Sequence, residues 1–216
     1  MKEKKRTTYE YEYNRLKSIS YFSDYDFIPN PQNNVTYHYG NKNAKYNRVG
    51  RVSLVEDATG AQEYKYGTLG EITEVRRTVI IPNQAIAIYV TQTKYDTWNK
   101  LEQIIYPDQE KVDYIYNTAG LLTGIRGSKA YSYDYVNKIG YDKFEQRNYL
   151  KYCNGSETTY TYDPERRRLS DLQVWVSPKT QGTGVRTQII SNKYTYDAVS
   201  NVLSVLNQMY VLKNTI

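Results

Sequence analysis

The chain is poor in the residues that build most compact domains. Of its 216 residues only 46 are Leu, Ile, Val or Phe, close to the level below which a charged chain tends to stay disordered. A single cysteine, Cys153, excludes an intrachain disulfide, and without a second thiol it forms no redox pair or thiolate cluster. The one histidine, His38, fills the variable position of Tyr37-His38-Tyr39-Gly40 and reads as a strand-surface residue rather than a catalytic base. The longest apolar run, Val79 to Val90, is interrupted by Pro82, Asn83 and Gln84 and is too short to span a bilayer. Met1 is followed by charges, not by the apolar core of a signal peptide. Neither G-x-G-x-x-G nor G-x-x-x-x-G-K occurs, so no phosphate cradle is expected. The expectations are therefore no enzyme, no cofactor, no metal and no membrane insertion.

Charge adds little. The net charge is +6, but the densest basic runs, Lys2–Arg6 and Arg166–Arg168, do not join into a stripe. Acidic residues are interspersed elsewhere. This patterning fits a solvated surface and argues against a nucleic-acid partner.

What the chain has is tyrosine, 26 residues spread from Tyr9 to Tyr210. Each ring brings a large apolar face with few rotatable bonds, while its hydroxyl can remain in water. Tyr and Thr favour strands, so the expected class is all-β, with sheet faces left wet rather than sealed in a thick core.

The tyrosines recur in a pattern: Tyr-x-Tyr-Asp/Asn, two residues, Gly or Asn, any residue, then two aliphatics three apart. The clearest copies are YKYGTLGEITEV from Tyr64, TKYDTWNKLEQI from Thr93, YIYNTAGLLTGI from Tyr114 and YTYDAVSNVLSV from Tyr194. Counting from Tyr66, Tyr95, Tyr116 and Tyr196, the aliphatics stand at +6 and +9 in all four. Looser copies start at Tyr11, Tyr37, Tyr131 and Tyr160. The second aromatics then fall at Tyr13, Tyr39, Tyr66, Tyr95, Tyr116, Tyr133, Tyr162 and Tyr196. In the Tyr160 copy Arg166 holds the glycine place and Leu169 comes one position late.

Each unit predicts one hairpin. Tyr-x-Tyr alternates with period two, so both rings leave one face of a strand. Asp or Asn opens the turn by accepting a backbone hydrogen bond, and Gly or Asn three residues later supplies the positive φ that closes it. The predicted repeat positions are Tyr64, Tyr66 and Gly70; Tyr95, Asp96 and Asn99; Tyr114, Tyr116, Asn117 and Gly120; Tyr131, Tyr133 and Asp134; Tyr160, Tyr162 and Asp163; and Tyr194, Tyr196 and Asp197. Reversals at Asp57–Gly60, Pro107–Glu110 and Asn154–Ser156 join the units into an antiparallel meander. About eight hairpins over residues 1–216 give up to sixteen strands, a strip roughly 75 Å long and about 20 Å wide. Sheet twist curls such a strip into a curved single-layer wall whose edges need partners or charges. Irregular loops are expected near 21–34 and 177–187, neither of them a domain boundary.

These copies resemble the YD repeats of the Rhs family, found also in toxin-complex shell proteins and teneurins. YIYNTAGLLTGI, YTYDPERRRLSDL and YTYDAVSNVLSV carry the resemblance, and YDKFEQRNYLKYCNGSETTYTYDPERRRLSDLQVW resembles the bacterial branch. It extends from about Tyr9 to Leu206. The resemblance implies a spiralling β-cocoon that encloses a C-terminal toxin or effector, in a polymorphic-toxin protein that is secreted or displayed at the cell surface. Its implied partners are the remainder of the shell and the cargo. The family's self-cleaving C-terminal core has no counterpart before Ile216, nor does an appended toxin domain, so the expectation is a segment of shell wall.

Two further readings compete at particular residues. Asp96, Asp134, Asp163 and Asp197 recur, which could suggest calcium turns. Calcium-binding β-rolls use a much shorter glycine-rich period, so turn capping is the favoured role. The tyrosine faces could also stack on sugar rings, making a carbohydrate-binding surface the alternative to cross-strand packing. Asn34-Val35-Thr36 and Asn154-Gly155-Ser156 match glycosylation acceptors, idle in a bacterial protein.

Overall fold

The computed structural model describes residues 6–23, 28–29, 33–176 and 186–211. They are all-β apart from one short helix. The chain falls into two compact units meeting between Glu110 and Lys111, inside a turn that the sequence marks only as a chain reversal.

The first unit contains β1 (Arg6–Glu12), β2 (Arg15–Ser23), β3 (Ile28–Pro29), β4 (Val35–Tyr39), β5 (Val52–Asp57), β6 (Gly60–Tyr66), β7 (Ile72–Val79), β8 (Ala87–Tyr95) and β9 (Leu101–Ile105). The second contains β10 (Lys111–Tyr116), β11 (Leu122–Ser128), β12 (Ser132–Tyr141), β13 (Arg147–Tyr152), β14 (Glu157–Tyr162), β15 (Leu169–Val176), β16 (Thr187–Tyr196) and β17 (Val202–Asn207), then the single helical turn α1 (Gln208–Val211). Within each unit the strands pair antiparallel with their sequence neighbours, β2 pairing with both β3 and β4. Strands touch the strands they are bonded to, so each unit is a single layer.

One device recurs in eight hairpins: a register shift immediately before the second aromatic. It precedes Tyr11, Tyr39, Tyr66, Tyr95, Tyr116, Tyr141, Tyr162 and Tyr196. These bulges explain the odd spacing of the aliphatics. In an unbroken strand, residues three apart point to opposite faces. The extra residue of a bulge restores them to one face. Ile72 therefore pairs with Tyr66 and Val75 with Tyr64; Leu122 pairs with Tyr116 and Ile125 with Tyr114; Val202 pairs with Tyr196 and Val205 with Tyr194. Leu101 pairs with Tyr95 in the same way.

The turns follow the predicted chemistry with two exceptions. Gly70, Asn99 and Gly120 have φ of 93°, 63° and 76°. In the Tyr196 copy that conformation belongs to Ser200, at 74°, and in the Tyr162 copy to Arg167, at 54°. The latter turn is one residue longer, which moves the left-handed position on from Arg166.

Two copies are misplaced by the sequence pattern. Tyr13 is not on a strand: with Asn14 it forms a two-residue turn, φ 49° and 64°. Two successive left-handed residues suit the twist of a tight hairpin, so the strand pair of this unit is Tyr9 and Tyr11. Tyr131, Tyr133 and Asp134 do not precede a turn either. Tyr133 and Asp134 lie inside β12, where Asp134 pairs with Arg126 at 3.1 Å. Gly127 makes this possible, because a Cβ there would stand 2.4 Å from the Tyr133 ring. The turn of that unit is Tyr141-Asp142-Lys143-Phe144-Glu145, with Glu145 at φ 63°.

The expected loop near 21–34 is partly strand. Phe22 and Ser23 extend β2 and pair with Pro29 and Ile28, while 24–27 and 30–32 lie outside the described residues. So do 177–185 of the second expected loop, and Thr187 opens β16. Met1 to Lys5, including most of the first basic run, also lie outside. Strands reach ten residues in β12 and β16, longer than a strip about 20 Å wide would hold.

Core is scarce. The buried apolar side chains among the described residues are Val112, Val136, Ile139 and Leu150, each 5–8% exposed and all in the second unit. Val136, Ile139 and Leu150 cluster against Leu122, Ile125, Tyr141 and Tyr160.

Turn strain is directly testable. Gly120→Val should lower unfolding free energy by about 1–3 kcal/mol, and Ser200→Gly should raise it by about 1 kcal/mol, because the left-handed region penalises a side chain. Urea unfolding of both variants measures this.

Candidate functional site: the tyrosine ladder

In five units the second tyrosine does more than pair across its own hairpin. Its hydroxyl reaches sideways to the hairpin before it. Tyr39 donates to the Leu16 carbonyl (2.9 Å), Tyr66 to Val52 (2.7 Å), Tyr141 to Leu122 (2.8 Å), Tyr162 to Arg147 (2.8 Å) and Tyr196 to Leu169 (2.8 Å). In every case the acceptor is the cross-strand partner of the preceding unit's second tyrosine. Leu16 pairs with Tyr11, Val52 with Tyr39, Leu122 with Tyr116, Arg147 with Tyr141 and Leu169 with Tyr162. Each hydroxyl thus satisfies a carbonyl at the start of a return strand, where the ladder gives it no strand partner. Burial raises the Tyr66 and Tyr162 phenols above their usual value, which keeps them protonated donors.

Arginine reinforces three of these ties. Arg15, Arg51 and Arg168 immediately precede Leu16, Val52 and Leu169, and they lie over Tyr39, Tyr66 and Tyr196 at 5.3, 5.4 and 4.9 Å from the ring centroids. Arg51 also donates to the Asn47 carbonyl and Arg168 to that of Asp197. The guanidinium therefore clamps a ring against the neighbouring turn. Sequence reasoning missed both hydroxyl tie and clamp. The signal available was Arg directly before the first aliphatic in three copies.

Apart from Asp134, which faces Arg126 within β12, the repeat carboxylates act as turn caps, as does the amide of Asn117. Asp96 Oδ1 accepts from the backbone N–H of Trp98 and Lys100, and Asp163 Oδ1 from Glu165 and Arg166. Asp197 Oδ1 accepts from Val199 and Asn201, and Asn117 Oδ1 from Leu121. Asp142, absent from the predicted positions, caps Phe144 and Gln146 identically. Hydrogen bonds from the backbone of Arg166 and Glu165 hold Asp163 below its ordinary value. At Asp197 the Asn201 side chain and backbone do so. With the lone pairs engaged by N–H donors, these carboxylates serve the backbone. No group of three or more His, Cys, Asp or Glu among the described residues is arranged to hold a metal.

Other candidates sit apart from one another. His38, on β4, contacts Glu56 at 2.7 Å on an exposed surface. Cys153 is exposed in a turn. Asn154 caps the Ser156 N–H, and Asn34 accepts from the Tyr21 N–H. One cleft of about 420 Å³ lies in the first unit beside the Tyr39 tie, lined by Tyr13, Tyr37, Tyr39, Arg15, Lys17 and His38 among others.

A further pin holds the first unit. Arg77 on β7 grips Asp57, at the end of β5, through two bonds of 2.8 and 3.0 Å, and also donates to Thr59. The bidentate Arg77 contact outweighs partial burial and holds the Asp57 carboxyl well below the usual range.

Comparison with solved structures shows what fold this is. The crystal structure of TcdB2–TccC3–Cdc42 matches with a TM-score of 0.69 at 18% identity, and that of TcdB2–TccC3 with 0.68 at 19%. The Photorhabdus luminescens Tc holotoxin pore matches with 0.68 at 19%. The fold is that found in TcdB2–TccC3 structures. It agrees with the YD-repeat resemblance read from the sequence. Each match covers 94% of this chain but only 10% of the other. No family model matches this chain, and no curated relative matches it. No helix among the described residues is long and apolar enough to cross a membrane.

Two measurements test the ladder. Tyr66→Phe and Tyr196→Phe should each cost about 0.5–1.5 kcal/mol in urea unfolding, since each strands one carbonyl. The two losses should add, because the residues lie far apart in sequence and share no partner. Acid should also weaken the fold. The Asp57, Asp163 and Asp197 carboxyls titrate below their unfolded value of 3.8. Their stabilisation is therefore complete above that value and is lost as pH falls through their lower folded values. Melting temperature should drop between roughly pH 5 and pH 2, and Asp57→Asn should flatten the drop.

Proposed function

We propose that this chain is a non-catalytic segment of shell wall, in a Rhs-type protein that encloses a toxin or effector polypeptide. One observation carries the reading: single-layer hairpins, five of them tied to the one before by the same tyrosine hydroxyl. Such a layer has little interior of its own and few places to converge catalytic groups. It is suited to separating two sides. The likeness to TcdB2–TccC3 structures supports the same role, as does the resemblance of the repeats to YD copies. Parallel roles follow for the parent protein: partners in the rest of the shell and the cargo, and a secreted or cell-surface setting.

A second reading rests on the cleft beside Tyr39. Tyr13, Tyr37 and Tyr39 with Arg15, Lys17, His38 and Asn41 offer aromatic faces and polar groups of the kind that hold sugar rings. A glycan array separates it from the first. Binding lost on Tyr37→Ala would favour the carbohydrate module, and an array on which the folded protein binds nothing would remove it.

The wall reading is checked by limited proteolysis of the natural product that carries this chain. An enclosed polypeptide should resist protease in the intact assembly and become cleavable when Y66A/Y196A loosens the wall. Equal cleavage in both would end the encapsulation reading.

A further inference from the structure

Adjacent strands of the first unit differ in length, and the difference opens an edge in the middle of the sheet. Strand β8 pairs with β7 along its whole near side as far as Ala87, opposite Val79. On its far side it pairs with β9 only from Gln92, opposite Ile105, to Tyr95. Beyond Ile105 the chain turns back, with the Tyr106 N–H bonded to the Glu110 carbonyl. Ala87 to Thr91 therefore overhang β9, and no strand among the described residues pairs with them on that side.

The overhang presents main chain as well as side chains. The Ile80 N–H donates to the Thr59 carbonyl (2.8 Å), so Ile80 and Thr78 turn their main chain toward β6. By alternation Val79, Arg77 and Val75 turn theirs toward β8, where they pair with Ala87, Tyr89 and Thr91. Ile88 and Val90 are left with their N–H and C=O groups aimed at the open side. The side chains of Ile86, Ile88 and Tyr89 are 62%, 49% and 50% exposed.

Two similar overhangs in the second unit are closed. Ser132 to Tyr135 of β12 extend past β13, where the Cys153 N–H donates to the Tyr135 carbonyl and Asp134 brings a charge. Thr187 to Ser191 of β16 extend past β17, and there the buried Ser191 hydroxyl bonds to Gln208 of α1. Charge and cover are the usual guards of an open edge. The β8 overhang has no such guard: from Thr78 to Thr93 the sequence holds no charged residue.

We propose that this edge of β8 binds the same edge of a second copy of the chain. The strands run antiparallel about a two-fold axis, with Ile88 opposite Ile88 and Ile86 opposite Val90. Ile86, Ile88 and Val90 of both copies then share one face. On the other face each Ala87 lies across from a Tyr89, a small side chain against a large one. A charged strand would find nothing here to pair with, so the edge selects an uncharged strand, and the overhang is itself one. A two-fold contact uses the same patch on both copies, so assembly stops at two. The contact is short, which makes the pair transient rather than obligate. This self-recognition goes beyond the wall reading and does not depend on it.

Sedimentation velocity on the full chain, from about 1 μM to about 1 mM, tests it. Wild type should pass from one copy to two as concentration rises and stop there. Ile88→Lys sets two cations opposite each other on the axis and should hold the chain at one copy. A disulfide trap in a Cys153→Ser background reads the register. Ile88→Cys should link two copies on mild oxidation, since its two Cα atoms would stand about 5.5 Å apart. Ile86→Cys should not, because its two copies would lie roughly 14 Å apart along the strands. Wild type that stays single or grows past two overturns the proposal, as does an Ile88→Lys chain that still pairs. Linking through Ile86→Cys, or none through Ile88→Cys, overturns it too. If circular dichroism shows Ile88→Lys melting early, the Ile88→Cys result decides.

Discussion

A phenol hydroxyl bonded to the carbonyl that begins its neighbour's return strand is the interaction on which this architecture depends. A hairpin meander normally loses backbone pairing near each turn, where successive hairpins diverge. Here the second tyrosine crosses that gap, and its ring covers the aliphatics beneath. In three units an arginine lies over the ring. The unit is therefore defined by what it does to the unit before it. That is how repeat proteins distribute stability, through nearest-neighbour terms instead of one central core.

The scarcity of buried residues follows from this arrangement. A single layer has two faces toward solvent or toward whatever lies beyond it, so few side chains can be enclosed on every side. Tyrosine suits such a layer because one end of the side chain packs and the other bonds. Aliphatic residues would pack as well but would leave the neighbouring carbonyl unsatisfied. The small cluster around Ile139 and Leu150 in the second unit is the nearest approach to a conventional core.

The polar groups serve the same end. The carboxylates of Asp96, Asp163 and Asp197, which look like ligands one at a time, are used up in holding turn N–H groups, and the Asp57–Arg77 pair spans from the end of one strand to the strand two places on. The polar chemistry goes into holding turns and neighbouring strands together. A fold can host many activities, and the reading as wall rests on this use of its polar groups as well as on the shared fold.

Hairpin, turn and strand class were legible in the sequence because they are local: alternating tyrosines, an Asx residue and a glycine or asparagine act within a dozen positions. Even the bulge left a trace, in aliphatics three apart where an unbroken strand requires an even number. What the repeat pattern could not arbitrate was which of two similar tyrosine runs meets a turn. Tyr131-Ser132-Tyr133-Asp134 matches the motif better than Gly140-Tyr141-Asp142, yet β12 runs through the first and ends at the second. That choice was made by Gly127 on the facing strand, whose missing Cβ leaves room for a ring. It was also made by the Leu122 carbonyl, which waits for a hydroxyl at Tyr141. Both are contacts between strands, and only the tertiary structure could decide them, because the residues concerned lie far apart along the chain and come together only when the hairpins align.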